Sequence, residues 1–401
     1  MGTLKLLLIA PFVCEHSVGE GSSAFHLVSG LAQRFNVTLL TYNLRADPPA
    51  STNVRCARVV EWSDLPIVGR FSGLNRQLTP GYIPFFVHAR RWLRANLKRE
   101  RFALIHQIAP LGLRYPCPAV GLGVPYIMGP LGGSLEAPPS LRSVVEHEPF
   151  YRRLRALDRL RFRYDPLLRA TYVQARVLIA VAPYVRDLLA SMNLPPLRLM
   201  SEAGVERTSP RACKRTGFDG GTPRLLYVGR VIRTKGVRDA IQALRFVAHS
   251  RAHLDIVGAG EDVVSCRRVV AEYGLEERVS FHGHLPPSAV EAFYERADLF
   301  VFPSFREPSG KALLEAMSHG LPVIVANYGG PAAVVDETCG RLVDPAPADE
   351  FARGIAAQID ALLAERSALE ALGRGALRRI QQRYTWDKKV DWLCNLYREL
   401  T

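Results

Sequence analysis

The chain has 401 residues, of which 48% are hydrophobic and 22% charged, and its formal net charge is +14. This length exceeds what one hydrophobic core usually supports, so the sequence predicts two globular domains, each able to bury a core. The seven cysteines are odd in number and none has C-x-x-C spacing, which argues against a disulfide framework or a zinc site and favours a reducing, cytoplasmic compartment.

The excess positive charge lies in the first half. Residues 1–200 hold 25 Lys and Arg against 12 Asp and Glu. Such a basic domain indicates an anionic partner, namely nucleic acid, an anionic membrane or a phosphorylated substrate. The alternative is the general basicity of an arginine-rich proteome.

The first residues superficially resemble a signal peptide. Lys5 interrupts them, the apolar run Leu6–Ala10 is short, and no small-residue cleavage site follows. We therefore expect a buried first strand. No run approaches the roughly 20 apolar residues of a membrane span.

Short apolar strands alternate with amphipathic helices, which is the βαβ rhythm of a parallel sheet. In the first half the predicted strands are Leu4–Ala10, Val37–Tyr42, Leu104–Gln107, Tyr126–Met128 and Val177–Val181, with a helix at Phe25–Arg34. Leu194–Pro196 and Arg207–Pro223 are rich in Pro, Gly and charge and are interpreted as linker.

The same alternation of strands and helices begins again after the linker. The predicted strands are Arg224–Val228, His253–Val257, Val279–His282, Leu299–Val301 and Pro322–Val325, and the predicted helices are Val237–Ala248, Val263–Tyr273, Ser288–Ala297 and Gly310–His319. The fold class is therefore α/β, with two doubly wound Rossmann-like domains at 1–200 and 201–383 facing a central cleft. Ligands of such sheets bind beyond the carboxyl ends of the strands.

The strongest chemical signal is the segment 303–315, PSFREPSGKALLE. A strand runs into a loop with Glu307, and Ser309 suits the N-cap of the next helix. The free N–H groups expected to bind a diphosphate are those of Ser309, Gly310 and Lys311. Glu307 could face sugar hydroxyls and Glu315 a ribose diol. Alternatively, Glu307 complements the helix dipole and Glu315 is a solvated helix residue.

A second signal follows the strand that ends at Gly229. Arg230 and Lys235 lie beyond its carboxyl end and can neutralise a departing diphosphate. A simple polar turn is the alternative.

Weaker signals are glycine-rich turns that let the backbone approach a nucleotide. They include Gly260, the turn before His284, and Gly21 in the first loop. Neither G-x-G-x-x-G nor a phosphate-binding P-loop motif is present, which disfavours a nicotinamide dehydrogenase and a P-loop NTPase.

Together these residues resemble the group 1 retaining glycosyltransferases of GT-B fold. The diagnostic feature is Glu307 and Glu315 separated by seven residues. The supporting motifs are Ala297–Ser304, Gly229–Gly236, Gly258–Gly260, Gly329–Gly330 and Tyr384–Asp387.

The resemblance implies a UDP- or GDP-sugar donor, retention of anomeric configuration and no metal or other cofactor. It gives catalytic roles to Arg230, Lys235 and Glu307. Its donor-binding set is Gly21, Gly229, Gly260, His284, Ser309, Gly310, Lys311 and Glu315. The last helix, about 384–401, is expected to pack back on the first domain.

The chain also departs from the family pattern. Where many relatives have a loop with a histidine, residues 128–133 read M-G-P-L-G-G, so Gly132 and Gly133 are assigned to an acceptor-side loop. No catalytic histidine is assigned. The candidates are His16, His26, His106 and His147, each more typical of a structural role.

Residues 85–102 predict a basic amphipathic helix with aromatic residues, and 151–164 add further arginines. Such a helix can lie on an anionic membrane, which would suit a glycan or lipid-linked acceptor at the inner face of the cell membrane. An ordinary helix with a solvated basic face is the alternative. No nucleic-acid-binding motif accompanies the charge.

Two other functions stay open at this point. One is a nucleotide-sugar epimerase or hydrolase of the same architecture, although no additional acid/base pair is identifiable. The other is an inactive donor-binding scaffold, suggested by the G-P-L-G-G loop.

Overall fold

Two parallel β-sheets organise the chain. The computed structural model describes residues 4–15, 19–43, 54–63, 82–145, 156–209 and 221–401. The chain divides into two compact units. The first comprises Met1–Ser134, Glu148–Glu202 and Trp386–Thr401, and the second comprises Leu135–His147 and Ala203–Thr385. The second unit therefore includes residues 135–147, which the predicted range 1–200 places in the first domain.

The sheet of the first unit has seven strands, all paired in parallel. They are β1 (Lys5–Ile9), β2 (Asn36–Asn43), β3 (Arg58–Ser63), β4 (Leu104–Gln107), β5 (Tyr126–Leu131), β6 (Val177–Ala180) and β7 (Leu197–Leu199). Their order is β3-β2-β1-β4-β5-β6-β7. The order reverses between β1 and β4, so the loops that follow these two strands flank one crevice.

Helices cover this sheet as the βαβ pattern predicts. They are α1 (Glu20–Ala32), α2 (Tyr82–Glu100), α3 (Ala156–Tyr164), α4 (Pro166–Val173), α5 (Tyr184–Leu188) and the last helix of the chain, Trp386–Leu400. The last helix packs on α1. A Cβ atom at Gly30 of α1 would lie 2.5 Å from Val390 Cγ2, so a larger residue there would force the two helices apart.

The second unit repeats the architecture with six parallel strands in the order β10-β9-β8-β11-β12-β13. They are β8 (Arg224–Val228), β9 (His253–Val257), β10 (Val279–Gly283), β11 (Leu299–Phe302), β12 (Val323–Ala326) and β13 (Gly340–Val343). Here the order reverses between β8 and β11, which places the predicted Arg230 and Glu307 loops at one edge of the sheet.

The helices of the second unit follow the strands in turn. They are α6 (Val237–Ala243), α7 (Val263–Glu272), α8 (Pro287–Arg296), α9 (Lys311–Ser318), α10 (Gly329–Val334), α11 (Ala348–Ala364) and α12 (Arg366–Arg379), after which Trp386–Leu400 is numbered α13. Short 3-10 turns occur at Arg233–Lys235 and Glu276–Arg278, and a π-helical turn at Ile380–Tyr384.

Three strands were not predicted from the sequence. β3 and β7 are edge strands whose residues are largely half-buried or exposed, so they lack a buried apolar run. β7 also has only three residues and directly follows the Pro-rich stretch that was interpreted as linker. β13 is the third, and it begins with a glycine and an arginine.

Three further predictions from the sequence concern the cysteines, a membrane-spanning helix and the linker. The six cysteines within the described residues are free, and Cys213 lies outside them. Across those same residues no helix has both the length and the apolar character needed to cross a bilayer. The central part of the predicted linker, residues 210–220, also lies outside the described ranges.

Candidate functional site

Glycine turns bring the backbone close together at the carboxyl edge of the second sheet. Gly229, Gly258 and Gly283 end the neighbouring strands β8, β9 and β10 with positive φ angles of 152°, 140° and 68°. A Cβ atom at Gly258 would lie 1.8 Å from the Gly229 carbonyl oxygen, and one at Gly260 would lie 2.2 Å from the Val231 oxygen. These glycines are therefore required for close packing of the turns, whatever ligand the edge binds.

Lys235 and Glu307 contact each other at this edge. The Lys235 ammonium donates to Glu307 Oε2 and forms an ion pair with it. Lys235 is 8% exposed. The turn that carries it ends at Gly236, where a Cβ atom would lie 2.1 Å from the Pro303 carbonyl oxygen. The sequence suggested two separate roles for these side chains, and the fold places them in one buried charge pair.

Arg230 differs from Lys235 in being exposed. Its carbonyl oxygen accepts from the Tyr227 hydroxyl at 3.0 Å, which fixes the backbone beside Gly229. The Arg230 guanidinium makes no hydrogen bond or ion pair within the described ranges. It is therefore a positive charge that a ligand can reach without breaking an internal contact.

The start of α9 corrects one sequence prediction. Gly310, not Ser309, is the N-cap, with φ 88° and ψ 66°. The preceding backbone is held by a second loop, because the Gly330 N–H donates to the Glu307 carbonyl at 2.8 Å and a Cβ at Gly330 would lie 2.2 Å from the Pro308 oxygen. The chain then needs a left-handed residue to enter the helix, and glycine provides it. Ser309 is buried and Lys311 is exposed.

Glu315 lies one turn further along α9. Its Oε2 accepts from the Tyr294 hydroxyl at 3.1 Å, and Lys311 Nζ lies 3.8 Å from its Oε1. Burial raises the pKa of the Glu315 carboxyl, and Lys311 and the Tyr294 hydroxyl partly offset that rise. About a third of the Glu315 side chain, 34%, stays exposed, so the carboxylate remains within reach of a ligand.

The neighbouring strand end carries His284. This residue follows Gly283 at the end of β10 and its side chain is exposed. It therefore lies at the same sheet edge as the predicted donor-binding residues.

In the first unit, Gly21 does not lie in an open loop. α1 begins at Glu20, so Gly21 belongs to the first helical turn, and its carbonyl accepts from the Cys14 N–H at 3.2 Å. Glu20 Oε2 accepts from the Leu111 N–H at 3.2 Å, and burial raises the pKa of this carboxyl. The helix start thus holds an acidic side chain of the protein itself beside Gly21.

The stretch 128–133 is likewise less open than predicted. β5 continues through Leu131, with a register shift after Met128 that pairs Leu131 with Ala180. Gly132 forms a bridge to Gly112 and donates its N–H to the Leu111 carbonyl at 2.8 Å. Gly133 follows with φ 79°. Only the end of the stretch is therefore a loop, at the carboxyl edge of the first sheet.

Two of the four candidate histidines make contacts that are typical of residues with a structural role. His106 is buried, donates from Nε2 to the Gly129 carbonyl at 2.7 Å and accepts at Nδ1 from the Tyr397 hydroxyl at 2.5 Å. Burial lowers its pKa to about 4, so it is neutral at physiological pH. His26 stacks on Trp386 with ring centroids 4.7 Å apart. The other two candidates, His16 and His147, lie outside the described residues.

Both halves of the chain match models of known protein families. The model of the family described as "Glycosyl transferases group 1" matches residues 209–376, and that of "Glycosyl transferase 4-like domain" matches residues 19–200. The chain belongs to the group 1 glycosyltransferase family.

Individual curated relatives match part of the chain. The glycogen synthase of Mycobacterium tuberculosis is 34% identical over 180 residues, which cover 44% of the chain and 42% of that protein. A D-inositol 3-phosphate glycosyltransferase of Corynebacterium aurimucosum is 30% identical over 207 residues, covering 48% and 47%. The chain thus spans about half the length of the curated relatives that it matches.

Solved structures match over nearly the whole length. Sucrose-phosphate synthase from Thermosynechococcus elongatus has a TM-score of 0.62 at 21% identity and 99% coverage of each chain. Anabaena HepE in complex with UDP and glucose has a TM-score of 0.60 at 16% identity, covering 99% of this chain and all of its own. At these identities the likeness shows the fold, which is GT-B as predicted.

The structure adds residues to the candidate site that sequence reasoning missed. Tyr294 and His319 surround Glu315, and the Arg306 Nε–H donates to the Leu135 carbonyl at 3.0 Å. Tyr294 lies on α8, outside the diagnostic motif, so no spacing rule points to it. Within the described residues no group of three His, Cys, Asp or Glu side chains is arranged to hold a metal ion.

Proposed function

We propose that this protein is a retaining glycosyltransferase that moves a sugar from a nucleoside-diphosphate sugar to a cell-envelope glycan or lipid-linked acceptor. One observation supports it most. Arg230, the Lys235–Glu307 pair and the start of α9 lie on the loops after β8 and β11, which are neighbours at the carboxyl edge of the second sheet.

The charges of this edge complement such a donor. Arg230 and Lys235 supply positive charge for the diphosphate, and the first N–H groups of α9 add the positive end of a helix dipole. Glu307 and Glu315 provide acceptors for hydroxyl groups of the sugar and the ribose. Fixed positive groups that meet the developing charge of a leaving diphosphate lower the barrier to its departure.

In the proposed reaction the bond between the anomeric carbon and the diphosphate oxygen breaks. The acceptor hydroxyl oxygen bonds to the anomeric carbon on the same face, and the hydroxyl proton passes to the departing diphosphate. Arg230, Lys235 and the start of α9 provide the positive charge, so the proposal needs no metal ion. Because the Anabaena structure holds UDP and glucose, UDP-sugars are the first donors to test, followed by GDP-sugars.

The first test combines nucleotide binding with removal of Arg230. UDP or GDP should raise the melting temperature of the wild type without added metal, because a ligand that binds only the folded state stabilises it. Arg230→Ala should reduce that shift and lower nucleotide release from the matching sugar donor by about 10- to 100-fold. The melting temperature without ligand should stay the same, since the guanidinium has no internal contact within the described ranges.

The acceptor class is tested in the same assay. With a cell-envelope lipid extract as acceptor, nucleotide release should rise well above the rate in buffer, and the product should keep the donor's anomeric configuration. Release that is equal with and without the extract would instead indicate a hydrolase, and an altered sugar still attached to the nucleotide would indicate an epimerase. Binding of nucleotide without turnover of any UDP- or GDP-sugar would indicate an inactive scaffold.

We also propose that the first unit contacts an anionic membrane from the cytoplasmic side. The outward side of α2 exposes Ile83 (65%) and Val87, followed by the exposed Arg91 and Arg94. A second exposed set of apolar side chains lies on α3 and α4. It consists of Leu160, Tyr164 and Leu167. Apolar side chains beside arginines suit the headgroup region of a membrane. There the apolar side chains insert and the arginines pair with lipid phosphates.

Sedimentation with vesicles checks this surface. Vesicles with 30% phosphatidylglycerol should pellet the wild type, and neutral phosphatidylcholine vesicles should pellet much less. Arg91→Glu/Arg94→Glu should abolish the difference, because each arginine near an anionic surface contributes about 1 kcal/mol. The matched control is Arg374→Glu/Arg378→Glu on α12 of the second unit. Equal sedimentation of the two double variants would refute the proposed surface.

A further inference from the structure

Glu315 is held by a residue from a different helix. Tyr294 lies near the end of α8, and its hydroxyl donates to Glu315 Oε2 at 3.1 Å, which is nearer than its second acceptor, the Ala312 carbonyl at 3.4 Å. Among the described residues, Oε2 is the carboxylate oxygen that accepts from a neutral side-chain donor. The other, Oε1, faces the exposed Lys311 at 3.8 Å, which is beyond direct hydrogen-bond distance.

The Tyr294 side chain has little freedom to move. It is 3% exposed, and its ring stacks on the His319 ring with centroids 5.1 Å apart and planes 23° apart. On β11, the Phe300 ring lies 6.1 Å from it in a tilted arrangement. Packing therefore fixes the position of the hydroxyl, and the hydroxyl in turn restricts the Glu315 carboxylate.

His319 completes the support from the far end of α9. Its Nδ1–H donates to the Glu315 carbonyl at 3.0 Å, so the ring that stacks on Tyr294 is itself tied to the backbone of Glu315. Tyr294 thus contacts Glu315 twice, directly through its hydroxyl and indirectly through the His319 ring. Without these contacts the partly exposed Glu315 side chain would sample several rotamers and lose that freedom when a ligand binds.

We propose that Tyr294 is a positioning residue for nucleotide recognition: it holds Oε2 of Glu315 so that the carboxylate is already oriented toward the donor ribose before the nucleotide binds. This inference rests on the ribose role of Glu315 in the proposed function. It assigns to α8, which lies outside the recognised motif, a part in nucleotide affinity. Preorganisation of this kind increases affinity by reducing the ordering cost of binding.

The experiment compares a ribonucleotide with one that lacks the ribose hydroxyls. Dissociation constants are measured by calorimetry for UDP or GDP, whichever stabilises the wild type, and for its 2′,3′-dideoxy form. Tyr294→Phe removes only the hydroxyl and keeps the ring stacked on His319. The matched control is Tyr273→Phe, which removes a hydroxyl at the C-terminal end of α7, outside the Glu315 network.

Tyr294→Phe should weaken binding of the ribonucleotide about tenfold, the usual size of a lost hydrogen bond to a charged group. It should leave the already weaker binding of the dideoxynucleotide unchanged, and Tyr273→Phe should change neither. Equal weakening for both nucleotides would mean general damage to the unit and would overturn the proposal, as would no weakening for either.

Glu315→Ala separates this inference from the function on which it rests. If Glu315→Ala weakens ribonucleotide binding and Tyr294→Phe does not, only the positioning role of Tyr294 fails. If Glu315→Ala leaves ribonucleotide binding unchanged, the ribose role of Glu315 fails, and the positioning role fails with it. Absence of binding by both UDP and GDP would overturn the proposed donor site itself.

Discussion

Lys235→Met is expected to lower nucleotide release from the sugar donor by at least about a hundredfold, the loss typical when one fixed group that stabilises developing charge is removed. Methionine keeps most of the aliphatic stem and removes the ammonium. The rate is measured with a UDP- or GDP-sugar that stabilises the wild type and a cell-envelope lipid extract as acceptor. A rate within threefold of the wild type would exclude Lys235 from the site.

The same substitution also affects stability, and the two effects can be separated. In the wild type the Lys235 and Glu307 side chains are only 10% and 16% exposed. Removing one partner of a buried ion pair leaves the other charge uncompensated, which costs on the order of 3 kcal/mol. The double variant Lys235→Met/Glu307→Gln should regain much of the lost melting temperature while staying inactive. Recovery of both properties would show that Lys235 acts only by neutralising Glu307.

Much of the fold could be predicted from the sequence because its central strands are buried on both faces. Runs such as Leu104–Gln107, Arg224–Val228 and His253–Val257 were predicted with the bounds that the structure gives them. Short, largely buried runs of this length are what a parallel sheet covered by helices requires, even where a run includes a polar residue such as His106 or Asp255. The edge strands β3 and β7 lack that constraint, so their sequences carry no comparable signal.

The candidate site was predictable in its loops but not in its contacts. A motif gives the order of residues on two loops, and the reversal of strand order then places those loops side by side. Spacing cannot show that Lys235 and Glu307 pair before any ligand arrives, because that depends on how closely Gly236 lets its turn approach Pro303. Spacing within the motif also gives no sign of Tyr294, because this residue lies on another helix and meets Glu315 only in the folded chain.

The error at the start of α9 has a tertiary cause. Ser309 has the better intrinsic preference for an N-cap, and local propensity favours it. Gly330 nevertheless approaches the Pro308–Ser309 peptide so closely that the turn into the helix falls one residue later, at Gly310. A contact with a residue about 20 positions away therefore overrides the local preference. Gly21 was also placed in a loop from the sequence, whereas α1 begins at Glu20 and includes it.

Raising the pH from 7 to 8.5 should stabilise the first unit through Lys389, and Lys389→Met should remove this contribution. Lys389 lies on α13, is 1% exposed, and donates to the Ser201 carbonyl. Burial lowers its pKa from 10.5 to about 7. Between these two values the unfolded chain binds more protons than the folded one, so the free energy of unfolding rises with pH in that window. Over 1.5 pH units the gain is about 1 to 2 kcal/mol.

The measurement can be confined to the first unit. All four tryptophans, Trp62, Trp92, Trp386 and Trp392, belong to it, so their fluorescence follows its unfolding. The control is Lys388→Met, which makes the same substitution at the exposed neighbouring position.

Buried thiols such as Cys117 have the opposite effect on the free energy of unfolding. Burial raises the pKa of Cys117 from 9.0 to about 12, so the free energy of unfolding falls as the pH approaches 9. Their contribution is common to all variants and cancels in the difference between wild type and variant. If Lys389→Met keeps the pH dependence of the wild type and of Lys388→Met, then Lys389 remains charged in the folded protein. The Ser201 carbonyl and the charge of Glu202 would then compensate for its burial.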